Sequence, residues 1–210
     1  DFKKAIIEGR LESYLERLEV KKGDVIYIPA GMVHAIGAGI MICEIQQNSD
    51  TTYRVYDWNR KGADGKPREL HIEKALDVID FDGKYPREKV KGLALYEQGG
   101  RRTFYVACEH FAMEKLEING SMDENTDGNK FFTLTAVEGM GEICYSGGSQ
   151  FFSAGDSILI PAALGSYSIV GNCTVLKAYV PDRQRDIINY LVSKGFTREK
   201  MSAIAGLFDE

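Results

Sequence analysis

A histidine, a glutamate and an arginine lie within one polar block, where they could bind a metal ion and hold a fixed positive charge. His34 ends the string Gly23-Asp24-x4-Pro29-x-Gly31-x2-His34. A tight turn, an apolar run and a bend in this string would aim the imidazole inward. An imidazole in that position can bind a divalent metal, or it can be a buried, hydrogen-bonded core residue. The string alone leaves both interpretations open.

Glu44 and Arg54 lie on stretches whose alternation is typical of strands. Glu44 shares a strand face with Ile40 and Ile42, and a carboxylate at the end of an apolar face is costly unless water, a metal or a cation meets it. Arg54 alternates with other polar residues in the same way. Isolated charges of this kind are usually solvated, but their density here favours a wet internal cavity.

The elements that would position these residues are mostly strands, flanked by helices. Helical periodicity covers 2–18, where Gly9 can split the helix, and Pro67 can open another. A helical pattern returns after Pro181, with Thr197 as the cap of a last helix. Strands are predicted at 25–29, 40–46, 51–56, 103–108, 111–118, 130–138, 141–146, 156–160, 165–170 and 174–180.

An internal repeat predicts two related β units. The octapeptide at 23–30 returns at 155–162, an offset of 132 residues, with six of eight positions identical. At this offset His34 corresponds to Ser166, so the second unit is expected to lack this metal ligand. We therefore divide the chain into a first β domain (1–66), a helical insert (67–91), a second, metal-free β domain (92–181) and a helical tail (182–210).

Composition excludes some classes of protein. The chain has 26 Lys and Arg against 31 Asp and Glu, a net charge of −5, which argues against a nucleic-acid binder. No apolar run approaches the roughly 18 residues of a membrane span, and the first residues do not form a leader pattern. The four cysteines form no CxxC. We expect reduced thiols and a cytoplasmic location, with no nucleic-acid or membrane partner.

The string ending at His34 resembles the second half of the cupin signature, a jelly-roll family. The longer block from Gly23 to Arg60 resembles the type I phosphomannose isomerases, or mannose-6-phosphate isomerases, in their short bacterial form. The likeness is specific from about residue 10 to 82 and rests on layout from 92 to 180. It implies a mainly β fold of cupin-type jelly-roll units, with a small helical insert and helical N- and C-terminal segments.

The resemblance also implies an activity and a set of site residues. The family interconverts mannose 6-phosphate and fructose 6-phosphate through a cis-enediol that one zinc ion stabilises. His34 matches a zinc ligand, Arg54 the active-site arginine, and Glu44 and Asp50 acidic positions of the same cavity, while Arg60 matches a basic residue near the sugar phosphate. We accordingly assign Arg54 and Glu44 to catalysis, Asp50 and Arg60 to substrate binding, and His34 to the metal. The general base is Glu44 or an upstream group.

One departure from the family changes this expectation. The family's remaining zinc ligands lie near a His-Pro-x-Asp motif that these 210 residues lack, and neither His71 nor His110 has the spacing of a substitute. A catalytic zinc needs about three protein ligands. The chain is therefore expected to be the C-terminal part of the enzyme, inactive alone. The alternatives are a non-catalytic cupin module for sugar binding or oligomerisation, and a cupin that binds another metal.

Overall fold

The computed structural model describes residues 1–49, 51–58, 60–83 and 88–208. The chain forms two compact units. Unit 1 contains Asp1–Cys43 and Asn48–Lys89, and unit 2 contains Glu44–Gln47 and Val90–Glu210. Across the described residues no helix is both long and apolar enough to cross a bilayer.

The described residues of unit 1 form three short helical elements. They are α1 (Phe2–Ile7), a 3₁₀ turn (Leu11–Tyr14) and α2 (Ile72–Val78). Gly9 has a φ of +68°, a left-handed conformation that interrupts the first helix as its position in the sequence predicted. The helix expected from Pro67 begins five residues later, at Ile72.

The repeat is visible as two turns of the same construction, one in each unit. In residues 21–24 and 153–156 the aspartate N–H donates to the carbonyl of the first residue, at 3.1 and 3.0 Å. The N–H of the first residue donates in return to the aspartate carboxylate, at 2.7 and 2.8 Å. The glycine before Asp24 has a φ of +90° and the glycine before Asp156 a φ of +100°. The same short sequence therefore fixes the same turn twice.

After the turn the two copies differ. The apolar run behind Asp156 is the strand Ser157–Ile160, which pairs with Phe132–Thr135. The run at 25–29 forms no strand, and neither do the described residues of 40–46 and 51–56. The prediction of strands there was wrong, because strand-like sequence becomes a strand only when a neighbour completes its hydrogen-bond ladder.

Unit 2 is an antiparallel sheet of seven strands. They are β1 (Leu93–Glu97), β2 (Gly100–Ala107), β3 (Ala112–Asn125), β4 (Phe132–Tyr145), β5 (Gly148–Ser153), β6 (Ser157–Ile160) and β7 (Ser166–Tyr179). The hydrogen-bonded order is β1-β2-β3-β7-β4-β5, and β6 also pairs with β4. The mainly β class is thus confirmed, whereas β1 and β5 lie outside the predicted ranges.

Glycines allow β3, β4 and β7 to run unbroken where two shorter strands were predicted for β4 and for β7. Gly171 of β7 is in register with Gly120 of β3 on one side and Gly141 of β4 on the other. A Cβ at Gly171 would lie 2.5 Å from the Met140 carbonyl oxygen. This glycine row therefore permits an approach of the strands that side chains would prevent.

We predict that Gly139→Ala destabilises unit 2 far more than Gly128→Ala. Both glycines have a positive φ, +72° and +81°, so alanine is strained at either position. A Cβ at Gly139 would also lie 2.1 Å from the Asn172 carbonyl oxygen, whereas nothing lies within 4 Å at Gly128. Overpacking of this kind costs about 1–3 kcal/mol beyond the strain. Urea unfolding measures the difference, and equal losses would contradict the prediction.

The helical tail belongs to the core of unit 2. A π-helical turn (Arg183–Ile188) continues into α3 (Asn189–Ser193), and α4 (Arg198–Met201) follows. Thr197 caps α4, as predicted, because its side chain accepts from the Lys200 N–H. Ile187 and Leu191 are fully buried in the same cluster as the strand residues Leu116 and Ile169. The helical tail and the sheet therefore share one hydrophobic core.

Candidate functional site

His34 is exposed, and one of its ring nitrogens already has a partner. Its Nδ1 lies 3.0 Å from the Met32 carbonyl oxygen. The carbonyl can only accept, so in the neutral imidazole Nδ1 carries the proton and Nε2 has the lone pair. Metal-binding histidines are usually oriented by such a hydrogen bond from the other ring nitrogen. The local geometry of His34 therefore suits a ligand that binds a metal through Nε2.

Arg54 is held by residues just before α2. The His71 N–H donates to the Arg54 carbonyl at 2.7 Å, and the Arg54 N–H lies 3.3 Å from His71 Nδ1. The guanidinium Nη1 donates to the Glu69 carbonyl oxygen at 3.3 Å. The half-buried side chain thus has a fixed direction, and its guanidinium forms no ion pair with a carboxylate of the described residues.

Arg60 and Arg68 share one buried carboxylate. Asp57 is 6% exposed and accepts from Arg60 Nη2 at 2.8 Å and from Arg68 Nε at 2.6 Å. The Arg60 guanidinium also lies 5.2 Å from the centre of the Trp58 ring. Trp58 has a φ of +49°, a conformation that non-glycine residues rarely adopt. The strain occurs next to the predicted phosphate-binding residue, and the charge of Arg60 is already engaged by Asp57.

Glu44 and Asp50 are the two remaining predicted site residues. Glu44 is exposed and belongs to unit 2, and Asp50 lies outside the described residues. Among the residues that the structure describes, no three His, Cys, Asp or Glu side chains come together in a way that could hold a metal ion. The donor set does not fit a zinc centre, because His34 is a single ligand.

We predict that the Asp57 carboxyl titrates near pH 2. The hydrogen bond from Arg68 is the main cause that lowers its pKa from 3.8 to about 2, with Arg60 contributing less. Because the folded-state pKa lies below the unfolded value, the stabilisation by Asp57 is complete above pH 3.8 and is lost as the pH falls through about 2. Carboxyl chemical shifts followed by NMR measure the midpoint.

Two variants test this assignment. Arg68→Gln should raise the Asp57 pKa more than Arg60→Gln, because Arg68 contributes the larger share of the lowering. An equal effect of the two variants on the midpoint would contradict it.

A second cluster of charged residues lies inside unit 2, and sequence reasoning missed it. Arg102 of β2 donates through Nε to Glu97 at 2.9 Å and through Nη1 to Glu114 at 2.6 Å. Its Nη2 donates to Glu124, which also accepts from Lys177. Arg102, Glu114, Glu124 and Lys177 are all buried. We call these four residues with Glu97 the ionic network; its formal charge is −1.

Tyrosines extend the ionic network. The Tyr179 hydroxyl donates to Glu114 and the Tyr190 hydroxyl to Glu97. Burial would raise the pKa of Glu124, but Lys177 and Arg102 more than offset this and hold it below its usual value. Burial, then the Glu114 charge, raises the pKa of Tyr179. Glu124 therefore stays ionised and Tyr179 stays protonated at neutral pH.

The ionic network forms one wall of a cavity of about 930 Å³. Its lining also includes Phe132, Tyr145 and Tyr167, together with polar side chains from β3 and β7. A charged residue amid apolar strand sequence, such as Lys177 between Leu176 and Ala178, is the signal that could have found the cluster.

Comparison with known proteins adds the family. The profile described as "Mannose-6-phosphate isomerase, cupin domain" matches residues 101–180. Mannose-6-phosphate isomerase ManA of Bacillus subtilis is 37% identical over 166 residues, which cover 79% of this chain and 52% of the relative. Mannose-6-phosphate isomerase of Streptococcus mutans is 34% identical over 85% of this chain and 55% of the relative.

A solved structure agrees with these relatives. The crystal structure of mannose 6-phosphate isomerase from Bacillus subtilis matches with a TM-score of 0.76 and 32% identity, over 83% of this chain and 55% of that chain. Our chain thus spans about half the length of the relatives it matches.

The antiparallel sheet and the matched profile define a protein of the cupin class. Within that class, the chain is similar to the cupin-type mannose-6-phosphate isomerases over about half of their length, the family that the block from Gly23 to Arg60 resembles.

Proposed function

We propose that this chain is part of an isomerase that interconverts mannose 6-phosphate and fructose 6-phosphate. The orientation of His34 carries the proposal within the chain: Nδ1 is satisfied by the Met32 carbonyl oxygen, and Nε2 is left to bind a metal. The names of the relatives supply the substrate, since those proteins are mannose-6-phosphate isomerases of 34–37% identity.

The reaction moves a proton between adjacent carbons through a cis-enediol. We propose that Arg54 places a fixed positive charge beside the oxygen that becomes negative, and that Glu44 takes or returns the proton. Arg60 and Asp50 would bind the phosphate and the sugar hydroxyls. Arg60 can act on a phosphate only if it shares its charge with Asp57 or leaves that carboxylate, which Arg68 also holds.

Zinc would supply Lewis-acid stabilisation to this reaction. His34 alone cannot hold it, so we propose that the other ligands come from residues beyond these 210. Two observations in unit 1 support this. The run at 25–29 is similar in sequence to β6 but forms no strand, and Ile26, Ile36 and Met41 expose 42, 53 and 98% of their surface. Such a segment is suited to pair with further strands.

We expect the 210-residue chain to bind zinc weakly and to show no isomerase turnover, whereas a full-length protein containing it does both. Losing even an outer partner of a metal ligand costs about 10–100-fold in affinity, and losing true ligands costs at least as much. Zinc titration with a competing chelator measures binding, and a coupled assay with mannose 6-phosphate measures turnover. Native-like rates from the chain alone would contradict the proposal.

A histidine pair provides the matched control. In the full-length protein His34→Ala should abolish both zinc binding and turnover. His110→Ala removes an exposed imidazole of unit 2 and should change neither. Retention of zinc by the His34 variant would show that His34 is not a ligand.

A further inference from the structure

We propose that the cavity of unit 2 binds a neutral polyhydroxylated ligand of the sugar class. None of the proposed isomerase residues that the structure describes (His34, Glu44, Arg54 and Arg60) lines this cavity. Tyr167 of β7 lines the cavity, and only 3% of its surface is exposed. Its hydroxyl has no hydrogen-bond partner among the described residues. A buried hydroxyl without a partner is costly, so a ligand that supplies one, directly or through one water, gains affinity.

The charges around the cavity favour a neutral ligand over an anion. Each lining cation is already paired: Arg102 with three glutamates, Lys177 with Glu124, and Lys130 with Asp186 at 3.0 Å. Acidic residues outnumber these three cations in the lining; they are Glu97, Glu114, Asp123, Glu124, Asp127 and Asp186. A phosphate would meet a negative field and no uncommitted cation.

The groups at the cavity wall are those that recognise sugar hydroxyls. Asp123 accepts from the Ser168 hydroxyl at 2.7 Å, and Asn125 Oδ1 accepts from Ser166 at 3.2 Å. Phe132 and Tyr145 also belong to the lining. Burial, then the charge of Glu124, raises the pKa of Tyr167, which therefore remains a hydrogen-bond donor. Carboxylates, hydroxyls and rings around a cavity suit a ligand with many O–H groups and an apolar ring face.

The test measures the binding of D-mannose, D-glucose and myo-inositol to the 210-residue chain. Calorimetry and saturation-transfer NMR detect the binding. At least one of them should bind, and mannose 6-phosphate should bind this site more weakly than mannose, because only the phosphate differs. Tyr167→Phe should weaken the binding by roughly 2–10-fold, the effect of one hydrogen bond, without lowering thermal stability. Tyr96→Phe removes an exposed hydroxyl outside the cavity and should leave the affinity unchanged.

Three results would overturn the proposal. The first is that none of the neutral compounds binds at concentrations up to roughly 100 mM, far above useful affinities. The second is tighter binding of mannose 6-phosphate than of mannose with the same sensitivity to Tyr167→Phe. The third is binding that Tyr167→Phe leaves unchanged. Should that variant misfold, Asp123→Asn replaces it, since it alters an exposed wall residue and should also weaken the binding.

Discussion

Replacing Arg102 with methionine should destabilise unit 2 by about 3–5 kcal/mol, because it leaves Glu114 and Glu124 buried with too few positive partners. Methionine keeps much of the side-chain volume, so the loss reports charge rather than a cavity. Arg102 has a side-chain exposure of 9% and contacts three glutamates. Urea unfolding at pH 7, followed by circular dichroism, measures the change.

The adjacent arginine is the matched control for this prediction. Arg101 pairs with Glu117, and both side chains are more than a third exposed. Solvent screens such a pair, so Arg101→Met should cost no more than about 1 kcal/mol. A similar loss from both variants would show that burial of the ionic network is not what makes Arg102 important.

The cost of Arg102→Met should also shrink as the pH falls. In the variant, unpaired glutamates are easier to protonate, so acid relieves their burial. In the native protein the pKa of Glu124 lies below its ordinary 4.5, so its contribution is present above that pH and is lost as the pH falls. Both effects reduce the difference in unfolding free energy between the native protein and the variant as the pH falls from 7 to 4.

Removing the Arg54 guanidinium should lower the kcat of the full-length isomerase by about 10²–10³-fold with little change in KM. This is the loss typical of a donor that stabilises charge developing in the transition state. Arg54→Lys should restore only part of the rate, because lysine lacks the planar fork that lets Nη1 donate to the Glu69 carbonyl oxygen. Steady-state kinetics with mannose 6-phosphate separate the two parameters.

Arg17→Ala removes a 90% exposed arginine of the same unit and should leave both parameters unchanged. The opposite pattern for Arg54→Ala, a raised KM with unchanged kcat, would assign Arg54 to phosphate binding and not to the chemical step.

The sequence was most informative where each element carries its own signal. The strand-like pattern from residue 103 to 180 predicted strands within β2, β3, β4, β6 and β7, although as shorter segments, and the glycine-aspartate turn predicted both copies of the repeat. The sequence was least informative where an element forms only if a neighbouring strand pairs with it. The apolar run at 25–29 was predicted as a strand, yet among the described residues only its counterpart β6 forms one, paired with β4.

The same limit applies to the sites. His34 and Arg54 could be proposed from the sequence because they lie in one contiguous motif. The ionic network joins side chains of β1, β2, β3 and β7, as much as 80 residues apart between Glu97 and Lys177. Their meeting depends on strand order and register, which no local pattern specifies.

The glycine row has a consequence for the cooperativity of unit 2. β3, β4 and β7 are each 14 residues long, and each passes through the row without a break. Both ends of the sheet are therefore built from the same three chain segments, and neither end can lose its ladder while the other keeps its own strands intact. Melting should be all-or-none, with backbone amides on either side of the glycines exchanging with the same opening free energy.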